Sequence, residues 1–179
     1  MATPSSTEFK TSPEGNESAT DADDVPDPVV TLHLAMDEPD PPLTGWLDRY
    51  MQTILSNAGV DGELSIGIVD DGEMTRLHEQ YKGIDGTTDV LTFELGDQAH
   101  AESGCVDGEI IVCFDEAKRQ AESRGHDVRV ELLLYAVHGL LHLIGYDDAT
   151  EEEARRMHRR EDELLNEAGF GSVFYGLND

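Results

Sequence analysis

The chain has 179 residues, with 39 acidic side chains against 12 basic ones and a formal net charge of −27 at pH 7. This length is typical of one domain, and no apolar run of about 18 residues is present to predict a membrane span. The charge excludes strong nonspecific attraction to nucleic acid at low salt, because two polyanions repel each other.

The same composition indicates a cytoplasmic protein. The polar, acidic N-terminus lacks the basic region and apolar stretch of a secretory signal. Cys105 and Cys113 form neither a metal-binding pair motif nor a disulfide framework, so we expect reduced thiols. Adaptation to a high-salt cytoplasm would explain the charge, since a Debye length of about 3 Å near 1 M salt removes most repulsion.

Residues 1–28 predict a disordered acidic tail. They contain Ser, Thr, Pro, Gly, Asp and Glu and almost no large apolar side chains, so they cannot bury enough surface to offset their ordering entropy. We expect one domain over residues 29–179, beginning where VVTLHL alternates like a strand from Val29.

Helix and strand signals then alternate. The segment LTGWLDRYMQTILSNAGV has apolar residues at helical spacing and Gly59 at its C-terminus. ELSIGIVD alternates as a strand, and Asp71 is a candidate cap for a short helix running toward Tyr81.

The second half of the domain predicts two strands and three helices. TDVLTFEL and DGEIIVCF are the strands, FDEAKRQAESRG is a charged helix ending at Gly125, and VRVELLLYAVHGLLHLIG is an apolar helix. Thr150 and Glu153 form a capping box for the last helix. The expected fold class is α+β, a small mixed sheet of about four strands packed with about five helices.

A metal site is predicted in HGLLHLIGYDD, residues 138–148. His138 and His142 are four residues apart, so a helix presents both on one face, where they can bind one ion at about 2.0–2.1 Å. Gly145 can end the helix and reverse the chain, which allows Asp148 to supply a third ligand. Three protein ligands leave a position for water, the catalytic pattern. We therefore predict one divalent ion, Zn²⁺, per chain and a hydrolase.

Two alternatives are also compatible with these residues. A histidine pair on an apolar helix is also compatible with a structural role. Asp148 could instead cap the last helix, leaving Asp147 or water on the metal.

Gly139 follows His138 where zinc proteases of the H-E-x-x-H type carry a glutamate as general base. Glycine cannot transfer a proton. The shared histidine spacing predicts a zincin-like metal-hydrolase arrangement, whereas Gly139 disfavours peptidase chemistry.

At these residues the chain resembles the YbeY endoribonuclease family, also described as rRNA maturation factors, whose members carry H-G-x-L-H-L-x-G-Y-D-H. The matching residues are His138, Gly139, Leu141, His142, Leu143, Gly145, Tyr146 and Asp147. A second block, Y-R-G-K-D-x-x-T-D-V-L-S-F, is similar to Tyr81, Lys82, Gly83, Asp85, Thr88, Asp89, Val90, Leu91 and Phe93. A third, the G-D-I-x-I strand, is similar to Gly108, Glu109, Ile110 and Val112. The last helix also fits, at Met157, Glu161, Leu164 and Gly169.

The resemblance implies metal-dependent cleavage of single-stranded RNA, in 16S rRNA 3′-end maturation and ribosome quality control. It implies rRNA and the small ribosomal subunit as partners, with a ribosomal protein or an assembly GTPase as further candidates, and no membrane.

Two positions depart from the family pattern. Asp148 stands where the family has a third histidine, and its negative charge should strengthen cation binding but weaken the ion as a Lewis acid. Lys82 replaces an arginine and loses its bidentate fork on phosphate.

Lys82 is the predicted catalytic cation and a substrate contact, although a solvated surface lysine is the alternative. Asp89 is a second candidate substrate contact, for which a structural role in its loop is favoured over a catalytic one.

The last helix carries basic side chains that could touch RNA or ribosomal partners: Arg155, Arg156, His158, Arg159 and Arg160. An exposed face paired with Glu151, Glu152 and Glu163 is slightly favoured. A zinc metalloprotease and a noncatalytic, metal-stabilised ribosome-assembly factor remain the rival functions.

Overall fold

The structure is a computed structural model that describes residues 29–34, 40–96 and 105–171. The predicted tail, residues 1–28, lies outside the described residues. The helices and strands occur in the order β1 (Val29–Leu34), α1 (Pro41–Ala58), β2 (Asp61–Val69), α2 (Asp71–Lys82), β3 (Val90–Glu94), β4 (Cys105–Cys113), α3 (Phe114–Arg124), α4 (Val128–Leu143) and α5 (Glu151–Glu167).

The strands form one mixed sheet in the order β1-β2-β4-β3. β2 is parallel to both β1 and β4, whereas β3 runs antiparallel to β4. The structure describes the side chains of three of these strands, β2, β4 and β3. For β1 it describes the backbone pairing with β2. The predicted α+β class is confirmed, with five helices in the described part of the chain.

Helix α4 is the centre of the hydrophobic core. Ten of its residues are buried, including Leu133, Val137 and Leu140, and the helix contacts α1, α3, α5, β3 and β4. A helix that is apolar on every side can avoid water only in such a surrounding. The two histidines of the predicted metal site are therefore carried by the most deeply packed helix.

Gly139 allows α4 to lie directly against the sheet. A Cβ atom at this position would come within 2.8 Å of Ile110 Cγ2 and 3.2 Å of Thr92 Cγ2. A glutamate, as in H-E-x-x-H, would have to displace these side chains, and overpacking of this kind is destabilising. The glycine thus serves packing as well as removing a general base.

The helix ends largely follow their local signals. Gly59 and Gly125 adopt the left-handed conformation after α1 and α3, and Thr150 and Glu153 form the predicted capping box. The prediction that Asp71 caps α2 is wrong. Asp70 is the cap, accepting from the Glu73 backbone N–H at 2.8 Å, because β2 ends at Val69 and the chain leaves extended geometry one residue earlier than expected.

Asp71 instead joins two helices. As the first residue of α2, it pairs with Arg119 of α3 at 2.6 Å, and that hydrogen bond lowers the pKa of Asp71. Cys105 and Cys113 are both free thiols. None of the helices in the described ranges has the length and apolar character needed to cross a bilayer.

Candidate metal centre

The two predicted histidine ligands lie together at the C-terminal end of α4. Their Nε2 atoms are 3.2 Å apart, and the rings are nearly perpendicular, with centroids 4.7 Å apart. The spacing of four residues predicted this shared face.

Asp148 reaches the same point from beyond the end of the helix. Gly145 has a φ of +90°, a value that glycine adopts without steric cost, and the chain reverses there. Asp148 Oδ2 consequently lies 3.8 Å from His138 Nε2. One ligand atom from each of His138, His142 and Asp148 lies within 4.8 Å of the others, so the fold brings the predicted set together.

The alternative in which Asp148 caps the last helix is wrong. Thr150 is the N-cap of α5, with its side chain accepting from the Glu153 backbone N–H. Asp147 Oδ1 accepts from the backbone N–H groups of Asp148 and Ala149 at 2.8 and 3.3 Å. The turn therefore uses Asp147 for its own backbone, and the Asp148 carboxylate points to the histidines.

A buried carboxylate orients His138. Glu161 of α5 is only 2% exposed, and its Oε1 lies 2.6 Å from His138 Nδ1. With Nδ1–H donating to Glu161, the lone pair of Nε2 faces the cluster, as is common for metal-binding histidines. His142 is held in the same sense, with Nδ1 3.2 Å from the carbonyl oxygen of Tyr146.

The charge of Glu161 also decides how His138 binds a proton. Burial disfavours the charged imidazolium, but the hydrogen bond to Glu161 and its negative charge outweigh burial and raise the pKa of His138. A cation at Nε2 therefore competes with a proton for the same lone pair.

The role of Glu161 was not predicted from the sequence. The sequence feature that indicates this role is an acidic residue in the apolar stripe of α5, where Met157, Leu164 and Leu165 are buried. A carboxylate in such a position needs a partner, but only the tertiary fold identifies that partner as His138.

Glu161→Gln should weaken zinc binding by about 10–100-fold, the usual effect of losing a group that orients a metal ligand. Glutamine keeps the size of the side chain and one acceptor oxygen but removes the charge that makes His138 more basic. The measurement is a zinc titration against a competing chelator. Glu163→Gln is the matched control, because Glu163 is 59% exposed and pairs with Arg160 on the helix surface. Equal losses in the two variants would contradict an orienting role.

Comparison with known proteins identifies the family. Residues 37–169 match the model of the family described as Endoribonuclease YbeY. The chain belongs to the YbeY endoribonuclease family. An endoribonuclease YbeY of Pelotomaculum thermopropionicum is 40% identical over 147 residues, covering 77% of this chain and 95% of the relative. One of Staphylococcus epidermidis is 38% identical over 137 residues, covering 70% and 88%.

A solved structure shows the same fold. The solution structure of a Thermotoga maritima protein superimposes with a TM-score of 0.59 at 25% sequence identity. The alignment covers 84% of this chain and 99% of that protein.

The two site candidates from the second family block, Lys82 and Asp89, lie in different surroundings. Lys82 is the exposed last residue of α2. Asp89 lies just before β3, where its Oδ1 accepts from Thr88 Oγ1 and the Val90 backbone N–H at 3.0 and 2.9 Å. These contacts support the structural role favoured for Asp89.

A cavity of about 400 Å³ lies beside His138 and includes Asp89 in its wall. Lys82 does not line this cavity. The basic side chains in the cavity wall include Arg124 and His158. Sequence reasoning missed this cavity, because its walls come from separate helices and the segment before β3.

The basic residues of α5 largely follow the surface interpretation. Arg155 lies 3.8 Å from Glu151, and Arg160 lies 3.0 Å from Glu163. Arg156 covers the ring of Tyr146 at 5.3 Å, next to the turn that leads to Asp148.

Proposed function

We propose that this chain is a single-strand-specific, metal-dependent endoribonuclease that acts in 16S rRNA 3′-end maturation and ribosome quality control. The observation that carries the proposal is the convergence of His138, His142 and Asp148 within 4.8 Å. In a member of an endoribonuclease family, such a cluster beside a cavity supports metal-assisted hydrolysis of a phosphodiester.

The donor set fits Zn²⁺. Ligand atoms about 2.0–2.2 Å from one tetrahedral ion lie roughly 3.3–3.6 Å apart. Two of the three separations, 3.2 Å between the histidines and 3.8 Å between His138 and Asp148, lie close to that range, and all three lie within 4.8 Å. Two imidazoles with both Nδ1 atoms engaged, plus one carboxylate, are suitable donors for one zinc ion per chain, with a position left for water.

Each residue then has a role in the hydrolysis. Bound zinc would supply Lewis-acid polarisation of a phosphoryl oxygen and lower the pKa of a water molecule. His138 and His142 would hold it with their Nε2 atoms, Asp148 would add a negative ligand, and Glu161 would fix the orientation of His138. Lys82 is the proposed cation that offsets charge developing on the phosphate. Its exposed position requires the RNA strand to extend from the histidines toward the end of α2.

A metalloprotease is the alternative enzyme, and Gly139 disfavours it. The residue after His138 offers no general base, and a larger residue there would have to displace Ile110 and Thr92. We infer a zincin-like arrangement of a histidine-bearing helix against a mixed sheet, used for RNA hydrolysis instead of peptide hydrolysis.

We infer a cytoplasmic enzyme whose partners are rRNA and the small ribosomal subunit, with a ribosomal protein or an assembly GTPase as additional partners. The noncatalytic alternative, in which the metal only stabilises the fold, predicts no cleavage by the purified protein.

The test is metal analysis of the purified protein together with cleavage assays on a single-stranded rRNA fragment, the same fragment in duplex form, and casein. We expect about one zinc per chain, cleavage of the single strand only, and loss of cleavage on metal removal without a large drop in melting temperature. Cleavage of casein would favour the protease. A large drop in melting temperature with no RNA cleavage by the loaded protein would favour the noncatalytic assembly factor.

A further inference from the structure

The cavity beside His138 has the properties of a base-binding subsite. Its volume of about 400 Å³ lies within the range of about 300–1,000 Å³ typical of small-molecule sites. It is bounded by α3, α4, α5 and the segment before β3. Because His138 belongs both to this wall and to the metal cluster, a group bound in the cavity lies next to the proposed point of cleavage.

The charge of the cavity disfavours phosphate. Its charged and titratable side chains in the described part of the chain are Asp89, Glu116, Glu161, Arg124, Tyr135, His138 and His158. Arg124 already pairs with the fully buried Glu131 at 2.8 Å, and His138 is hydrogen-bonded to Glu161. The three carboxylates repel an anion, and the guanidinium of Arg124 is already paired. The cavity therefore favours a neutral ligand that presents N–H donors.

Asp89 offers the acceptor for such donors. Its Oδ1 already accepts two hydrogen bonds, but among the described residues Oδ2 accepts none. A carboxylate oxygen has room for about two hydrogen bonds. The carboxylate is held in place by its own loop, so it is oriented before any ligand binds.

Tyr135 offers the complementary donor. The residue is 5% exposed and lines the cavity, and within the described ranges its hydroxyl has no hydrogen-bond partner. The hydroxyl keeps some solvent exposure, and because Tyr135 is part of the cavity wall, we assign that exposure to the cavity. Burial raises the pKa of Tyr135, and the charges of Glu131 and Asp89 raise it further. The hydroxyl is therefore protonated at neutral pH.

We propose that this cavity binds the guanine base of a nucleotide next to the scissile phosphate, with Asp89 Oδ2 accepting from the guanine N1–H and N2–H groups and Tyr135 donating to O6. Single-stranded RNA can turn an unstacked base into such a pocket and present its Watson–Crick edge. Guanine offers two adjacent N–H donors beside one acceptor. Uracil offers one N–H between two acceptors, so it leaves part of the carboxylate unsatisfied. The inference rests on the proposed ribonuclease function and adds base selectivity to it.

The first test measures binding without cleavage. Guanosine, inosine and uridine are titrated into the full-length, zinc-loaded protein by calorimetry. Guanosine should bind at least about fivefold more tightly than uridine, the low end of discrimination by a pair of hydrogen bonds to a base edge, with inosine between them because it lacks the 2-amino group. Equal affinities for guanosine and uridine would overturn the proposal.

The second test removes one hydroxyl. Tyr135→Phe should weaken guanosine binding by about fivefold, as expected for one lost neutral hydrogen bond. Tyr81→Phe is the matched control, since Tyr81 is 55% exposed and makes an edge-to-face contact with Phe93 outside this cavity. If Tyr135→Phe binds guanosine as tightly as the wild-type chain does, the assignment fails.

The third test measures the cleavage of RNA. Two single-stranded oligonucleotides that differ by one guanine-to-uracil change are compared at each position around the cut. The guanine substrate should have the lower KM, and Tyr135→Phe should reduce that advantage. Cleavage without base preference would overturn the subsite but leave the ribonuclease function standing, whereas guanosine binding without cleavage would do the reverse.

Discussion

His142→Ala is expected to remove most of the bound zinc and to lower RNA cleavage by more than about a hundredfold. Loss of a group that merely orients a ligand typically costs 10–100-fold in metal affinity or activity, and loss of a ligand itself should cost more. In the structure, His142 Nε2 is 3.2 Å from His138 Nε2, so its removal takes away the closest partner donor in the cluster.

His78→Ala is the control for this experiment. His78 lies on α2, and its Nδ1 atom lies 2.8 Å from the carbonyl oxygen of Gly86, outside the cluster. The readouts are zinc per chain in the purified protein, initial cleavage rate and melting temperature. If the His142 variant kept full zinc stoichiometry, the site assignment would be wrong.

Asp148→Ala should lower zinc affinity by about a hundredfold or more, because the ion would keep only two protein ligands. Asp148→His should be tolerated, since imidazole and carboxylate both reach zinc at about 2.0–2.2 Å. The histidine variant also lacks one negative charge beside the ion, so the activated water should be more acidic and the pH–rate profile should move to lower pH.

Asp147→Ala separates these effects from a change in the turn. Asp147 accepts the backbone N–H groups of Asp148 and Ala149, so its loss should cost stability of about 0.5–2 kcal/mol, as for a lost cap, and affect zinc less than Asp148→Ala does. Zinc titration and chemical denaturation of both variants give the comparison. Unchanged zinc affinity in Asp148→Ala would show that the carboxylate is not a ligand.

Local sequence determined the parts of this protein whose cause lies within a few residues. The spacing of His138 and His142 sets a shared helical face, because a helix repeats every 3.6 residues. Gly145 permits the positive φ of the reversal, and Thr150 with Glu153 satisfies the first N–H groups of α5. The α+β class follows from the same kind of short-range pattern. The cap of α2 was predicted one residue too late, at Asp71, and this error shows the limit of that precision, since positions 70 and 71 are both aspartates.

Tertiary structure decided what depends on contacts between distant segments. Glu161 is 23 residues from His138 along the chain, and no periodicity in α5 names its partner. The reason for Gly139 became visible only when Ile110 and Thr92 were found against it. The cavity that contains Asp89 and Tyr135 exists because α3, α4 and α5 meet the segment before β3. Packing of the apolar helix α4 at the centre of the core sets all three relations, since it positions His138 against Glu161 and Tyr135 against the cavity.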